Sequence, residues 1–162
     1  MDNATNISKD SIELLQLVSF KIGSEEFGVD ILNVQEINRM VKITQVPNSP
    51  DYVEGIINLR GRILPVIDLR KILGLPKKEH DNETRIIVVD LDGKTVGFLV
   101  DSVNEVLRIP ADITEAPPEI VVGINSKYLM AVGKLEDRII MLLDLNKVLD
   151  ENEMKLISEF TK

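Results

Sequence analysis

The chain repeats itself. Displaced by 76 positions, Leu59–Leu73 (LRGRILPVIDLRKIL) falls on Leu135–Leu149 (LEDRIIMLLDLNKVL), and 7 of the 15 aligned positions are identical, where ordinary composition gives on the order of one. Tyr52 falls on Tyr128 at the same displacement. A displacement of 69 aligns the earlier segments: Gly28 with Gly97, Val34 with Val103, Glu36 with Glu105 and Arg39 with Arg108, so V-x-E-[IV]-x-R occurs twice. The displacements differ by 7, which puts a small insertion in the second copy, near Pro117-Pro118. The approximate halves, 14–76 and 84–150, are close to the lower limit for a self-sufficient core of roughly 70 residues. Such a chain is expected to form two small barrel-like lobes that bury further apolar surface between them. Two copies are too few for a solenoid. Exchange of strands between the lobes stays open at this level.

The local pattern is mainly β. Ile, Val and Leu together number 56 of 162 residues, a composition that suits pleated, half-buried surfaces. Leu17–Ile22 and Phe27–Ile31 read as a hairpin around Gly23–Glu26, and Arg85–Leu91 with Thr95–Val100 as another around Asp92-Gly93-Lys94, Asp-Gly being a strong turn signal. Arg62–Ile67 and Arg138–Leu143 read as two further strands. Pro65 has no N–H to give a ladder, which puts its strand at an edge or bulge. The glycines of Gly55–Gly61 read as a tight strand-to-strand turn. Helix is sparse. Asp68–Leu73 fits one or two turns with Asp68 as N-cap and Gly74 as stop. Leu149, Leu156, Ile157 and Phe160 recur at helical spacing, predicting an amphipathic end helix over about 146–160. The polar stretch Pro76–Glu83 is the natural connector between the lobes.

Composition excludes several functions. The 27 acidic residues against 19 basic ones leave a net charge of -8, which opposes nucleic-acid phosphates and anionic membrane surfaces. With no cysteine there is no disulfide framework, thiolate nucleophile or zinc–thiolate site, and His80 is the single histidine. The sequence has no signal-peptide pattern and no apolar run of the ~20 residues that spans a bilayer, so a cytoplasmic protein without membrane insertion is expected. Phosphate-loop, dinucleotide, nucleophile-elbow and zinc-protease motifs are missing. Asp68 and Asp144 hold equivalent repeat positions and read as helix caps rather than as an acid–base pair. His80 sits in a charged connector. No enzyme, cofactor or metal is therefore expected, and interest falls on the duplicated carboxylates Glu36 and Glu105 in their apolar surroundings.

The block Gly55–Arg70 (GIINLRGRILPVIDLR) followed by Ile72-Leu73-Gly74 resembles the signature of the CheW-like family of bacterial chemotaxis coupling proteins. Val34–Ile37, Ile43–Pro47 and Val96–Asp101 with Val103, Val106 and Leu107 match as well, so the resemblance runs from about Leu14 to Leu149. It implies two SH3-like five-stranded β-barrels and a function without chemistry: an adaptor bridging transmembrane chemoreceptors to the regulatory domain of the histidine kinase CheA. The family's receptor site is a groove between the lobes that accepts the hairpin tip of the receptor's cytoplasmic coiled coil. By matching position that groove would contain Val18, Ile31, Val34, Ile37, Val103 and Val106, with Glu36 and Arg60 as a rim pair. Gly55 and Gly61 match positions implicated in kinase contact. For the groove valines, ordinary core is the competing role, and for the two glycines, ordinary turn geometry. Other readings remain: a small-molecule-binding barrel sensing an anion near Arg60 and Arg62, another scaffold module of the same family, or a structural dimer through an exposed barrel edge.

Overall fold

The computed structural model describes residues 14–116 and 128–149, together with Lys155. The expected insertion at Pro117-Pro118 and most of the expected end helix lie outside these residues. Within them the regular structure is mostly strand: β1 (Leu14–Ile22), β2 (Glu25–Asp30), β3 (Val34–Arg39), β4 (Val53–Leu59), β5 (Arg62–Asp68), β6 (Arg85–Leu91), β7 (Lys94–Val100), β8 (Ser102–Pro110), β9 (Thr114–Glu115), β10 (Leu129–Lys134) and β11 (Ile139–Leu143). Two single-turn helices, Leu69–Ile72 and Leu145–Val148, follow β5 and β11. Each is capped by the repeated aspartate: Asp68 accepts from the Arg70 amide at 3.0 Å and Asp144 from the Asn146 amide at 3.0 Å.

The strands form two sheets, in the orders β3-β6-β7-β5-β4 and β8-β1-β2-β11-β10-β9. The halves of the sequence are therefore not the halves of the molecule. The β1–β2 hairpin of the first copy is inserted between β8 and β11 of the second, and the β6–β7 hairpin of the second copy between β3 and β5 of the first. The insertions are joined by the only parallel pairings among the described strands, β5 with β7 (Val66 opposite Gly97) and β11 with β2 (Leu142 opposite Gly28). The repeat-related glycines Gly28 and Gly97 mark these pairings, and a larger residue at either would press on an isoleucine side chain. A Cβ on Gly97 would lie 2.8 Å from Ile86 Cγ2, and one on Gly28 3.0 Å from Ile140 Cδ1.

Each sheet closes around its own core. Ile57, Leu59, Leu64, Val66, Ile86, Val88 and Leu99 converge inside the first barrel. Thr44 completes its wall by exchanging two hydrogen bonds of 2.9 Å with Ile56 of β4. Leu17, Ile109, Ile140 and Leu142 fill the second. The largest apolar cluster lies between the barrels, where Val18, Phe20, Phe27 and Val29 meet Ile67, Ile87, Val89 and Phe98, with the Phe20 and Phe27 rings stacked at 5.9 Å. Strand β6 shows why: Ile86 and Val88 enter the first barrel while Ile87, Val89 and Leu91 face the seam. A strand buried on both faces reads as a continuous apolar run.

Two local expectations change. β5 is not an edge strand, since β4 and β7 flank it, although the β4–β5 register does shift between Val53 and Gly55, beside the Ile56–Pro65 pair. Ile56 directs its own N–H and C=O toward Thr44, so Ile56 and Pro65 face each other as a non-hydrogen-bonded pair. The parallel ladder to β7 begins one residue later, at Val66. Pro65 is tolerated because no partner needs its missing donor. The Gly55–Gly61 segment is likewise not a turn throughout. Val53–Leu59 is strand, and the chain reverses only at Arg60-Gly61.

Candidate functional site

The Asn-Leu-Arg-Gly block is a two-residue hairpin. Arg60 and Gly61 both have left-handed backbones, with φ of 53° and 86°, the type I′ geometry whose twist matches the flanking strands. Asp92-Gly93 repeats it, with φ of 52° and 84°. Leu59 before the turn is buried in the first barrel, and Asn58 Oδ1 accepts the Gly61 amide at 2.8 Å. The Arg60 guanidinium then reaches across to edge strand β3 and pairs with the Glu36 carboxylate, which also accepts from Asn38 Nδ2 at 2.8 Å. The hydrogen bond from Arg60, then that from Asn38, holds the Glu36 carboxyl below the usual carboxylate range. Arg62 donates to Thr95 Oγ1 at 2.9 Å, so both arginines near the turn are engaged.

Beside this rim lies the seam between the barrels. Val34 on β3 and Val103 on β8 occupy the repeat-related edge strands, and with Ile31 they pack, half-buried, against the inter-barrel cluster. Ile37 (40% exposed) and Val106 (51%) lie on the same two strands and face solvent. Val18 differs. It is 2% exposed, opposite Val106 in the β1–β8 ladder, and belongs to the buried inter-barrel cluster itself. Gly55 is also internal. A Cβ there would stand 2.7 Å from Ile43 Cγ2 and closer still to the Thr44 carbonyl, so this glycine serves the closure of the first barrel. Gly61 faces open space.

The repeat is not symmetric in charge. Glu105, the counterpart of Glu36, lies 3.8 Å from Arg138, the counterpart of Arg62. Arg60 has Glu136 at its equivalent position, so the second barrel lacks its guanidinium. Arg138 instead binds the buried Glu26 at 2.6 Å, which also receives the Ser19 hydroxyl.

Two features escaped sequence reasoning. Leu32, beside Ile31, is 88% exposed in a 3-10 turn (Ile31–Asn33) where its amide donates to Asp30 Oδ1 at 2.9 Å. The other is an ionic clamp at the seam. Arg70 forks onto Asp101 (Nε to Oδ1 3.0 Å, Nη2 to Oδ2 2.5 Å) and donates through Nη1 to the Pro76 carbonyl. Asp101 also receives the Gly23 amide at 2.7 Å. Burial pushes the Asp101 carboxyl up, yet the Arg70 and Gly23 hydrogen bonds outweigh it and hold it below its ordinary value. The available signal was broken repetition: the counterparts of Arg70 and Asp101 are Asn146 and Leu32.

Among the described residues no group of His, Cys, Asp or Glu is placed to hold a metal ion, and no helix is long and apolar enough to cross a membrane. A cleft of about 260 Å³ lies between residues 45–54 and Lys71 and Lys77. It is smaller than most ligand sites, and neither Arg60 nor Arg62 lines it.

The arrangement is thus that of a binding module: two barrels, an apolar seam and a charged rim. Comparison with known proteins agrees. The family model for the CheW-like domain matches residues 16–153. The chain is 37% identical to the chemotaxis protein CheW of Klebsiella aerogenes over 91% of its length and 89% of the relative's. It is 38% identical to that of Thermotoga maritima, over 90% of this chain and 95% of the other. The crystal structure of the scaffolding protein TtCheW from Thermoanaerobacter tengcongensis superposes with a TM-score of 0.79 at 36% identity, covering 87% of this chain and 91% of that one. The chain belongs to the CheW-like domain family.

Proposed function

We propose that this protein is a non-enzymatic chemotaxis adaptor that couples transmembrane chemoreceptors to the regulatory domain of the histidine kinase CheA, working in the cytoplasm at receptor arrays. The observation that carries the reading is the half-buried apolar strip of Ile31, Val34 and Val103 at the seam, rimmed by the Glu36–Arg60 pair. Such a strip suits a helical hairpin tip, with apolar contacts supplying affinity and rim charges fixing register. Ile37 and Val106 extend it outward, while Val18 supports it as core. The kinase would engage the first barrel around the β4–β5 hairpin, where Gly55 maintains the wall and the face at Gly61 is open. Two surfaces on one rigid body raise the effective concentration of each partner for the other.

The test is kinase autophosphorylation in receptor-containing membranes, with and without the protein, before and after attractant. Receptor-dependent activation that needs the protein and collapses with attractant is the expected result. Val34→Asp, which puts a charge into the apolar strip, is expected to abolish receptor binding with the melting temperature and kinase binding retained. Equal loss of both partners with a lowered melting temperature would make Val34 core alone. Kinase binding without receptor coupling would make the chain a scaffold for another array.

A further inference from the structure

Gly61 is the one residue of the Asn-Leu-Arg-Gly block whose side-chain position is empty: nothing lies within 4 Å of a Cβ placed there. Steric crowding inside the molecule therefore does not explain a glycine at this place. Its backbone does, because φ is 86°, a conformation that L residues resist and β-branched ones most of all. The preceding residue is also left-handed, with φ of 53°, and it is an arginine, a type with no special tolerance for that region. The turn is held in this geometry by the hydrogen bond from the Gly61 amide to Asn58 Oδ1 and by the Arg60–Glu36 pair across the barrel mouth. Arg60 is two-thirds exposed, and its guanidinium is engaged by Glu36. Its direction is set by the backbone of the turn.

From this we infer that Gly61 is a positioning residue: it acts through Arg60, by keeping the β4–β5 turn in the type I′ form that delivers the guanidinium to Glu36 on the receptor-facing rim. The part concerning the receptor rests on the function proposed above; the positioning itself does not. A residue at Gly61 that leaves the left-handed region forces a different two-residue turn, and the twist of β4 against β5 then swings Arg60 away from β3. Asparagine, which tolerates left-handed backbone, preserves the pair although it is larger than alanine. A direct contact role at Gly61 makes the opposite demand. There any side chain harms, and asparagine harms more than alanine.

The decisive measurement is titration of the Glu36 carboxyl by NMR in the full chain, with folding checked by circular dichroism. Arg60→Ala is expected to raise the Glu36 midpoint. Gly61→Val is expected to raise it as far, with Gly61→Ala as the milder variant should valine impair folding, and Gly61→Asn to leave it near the wild-type value. Binding of a soluble receptor fragment containing the hairpin tip gives the second readout. Arg60→Ala and Gly61→Val should each weaken it by about three- to tenfold, as for an arginine that the partner covers in part, and the double variant no further than either single one. Gly61→Asn should stay within about twofold of wild type. An unmoved Glu36 midpoint in Gly61→Val overturns the inference, as does an added loss of binding when Gly61→Val is placed on Arg60→Ala. Equal loss in Gly61→Asn and Gly61→Val also overturns it. If the titrations behave as expected but neither Val34→Asp nor Arg60→Ala changes fragment binding, the receptor reading fails and the positioning role stands.

Discussion

Replacing Arg70 by methionine removes the guanidinium from the seam clamp and keeps most of the apolar stem. Asp101 would retain the Gly23 amide at 2.7 Å and Lys78 at 3.8 Å, but lose both arms of its fork. Breaking a fully buried pair costs about 3–5 kcal/mol. Here the two side chains keep 11% and 14% exposure and Lys78 offers partial compensation, so the expected loss is about 2–3 kcal/mol. For a chain of this size each kcal/mol lowers Tm by about 2–4 °C, which gives a fall of roughly 4–12 °C. The pH dependence carries the sharper test. Asp101 in the wild type titrates below its ordinary 3.8, so its contribution is complete above that value and lost as pH falls through the folded value. In the variant, burial acts with less opposition and the folded value rises. The stability gap should therefore be constant near neutrality and narrow as pH falls from the variant's Asp101 value to the wild type's. Urea unfolding from pH 7 downward reads this directly. A loss below about 0.5 kcal/mol at pH 7, or a gap that does not narrow toward acid, would refute the clamp.

Two further outcomes follow from the repeat and the closure. Burial raises the Asp68 carboxyl above its ordinary range, and Glu54 raises it further, so its charge opposes folding at neutral pH and protonation favours the native state. Asp68→Asn keeps an oxygen for the Arg70 amide and removes that charge; it should be neutral or stabilising at pH 7, whereas Asp68→Ala should cost about 1 kcal/mol, both read by thermal melts. Gly55→Ala forces a methyl against Ile43 and the Thr44 carbonyl and should cost about 3 kcal/mol, with hydrogen exchange accelerated at the Thr44 and Ile56 amides; unchanged exchange would remove Gly55 from the closure.

The strand content was legible in runs of β-branched residues bounded by turn signals, and the duplication in the direct alignment of the two copies. The Asp-Gly turn could be found in the same way, and so could the aspartate caps, whereas the Arg60-Gly61 turn was merged into a longer Gly55–Gly61 segment that is mostly strand. Pairing partners are not local. Nothing in Leu17–Ile22 says that its neighbours are β8 and β2, or that Val18 is sealed while Val106 opposite it is exposed. Strand β4 was obscured by Gly55, a residue that breaks the apolar run for reasons visible only once Thr44 lies against it. Of the site, Glu36 and Arg60 could be suspected from the repeated motif and the resemblance. The Arg70–Asp101 clamp left only a negative signal, since its members lie 31 residues apart and neither recurs in the second copy.

The reciprocal insertion of hairpins has a consequence for assembly of the chain. Strands β1–β5 precede the connector at residues 76–83 and β6–β11 follow it, yet each barrel draws strands from both sides. The first barrel cannot close until β7 has been made and the second not until β11 has, and the pairings of β1 with β8 and of β2 with β11 are distant in sequence, which favours slow folding. The topology is that of two half-length chains wrapped around one another and then joined, an intertwined dimer turned into a monomer by a tether. A cut within the tether leaves every ladder intact, whereas truncation at the same place leaves no barrel complete.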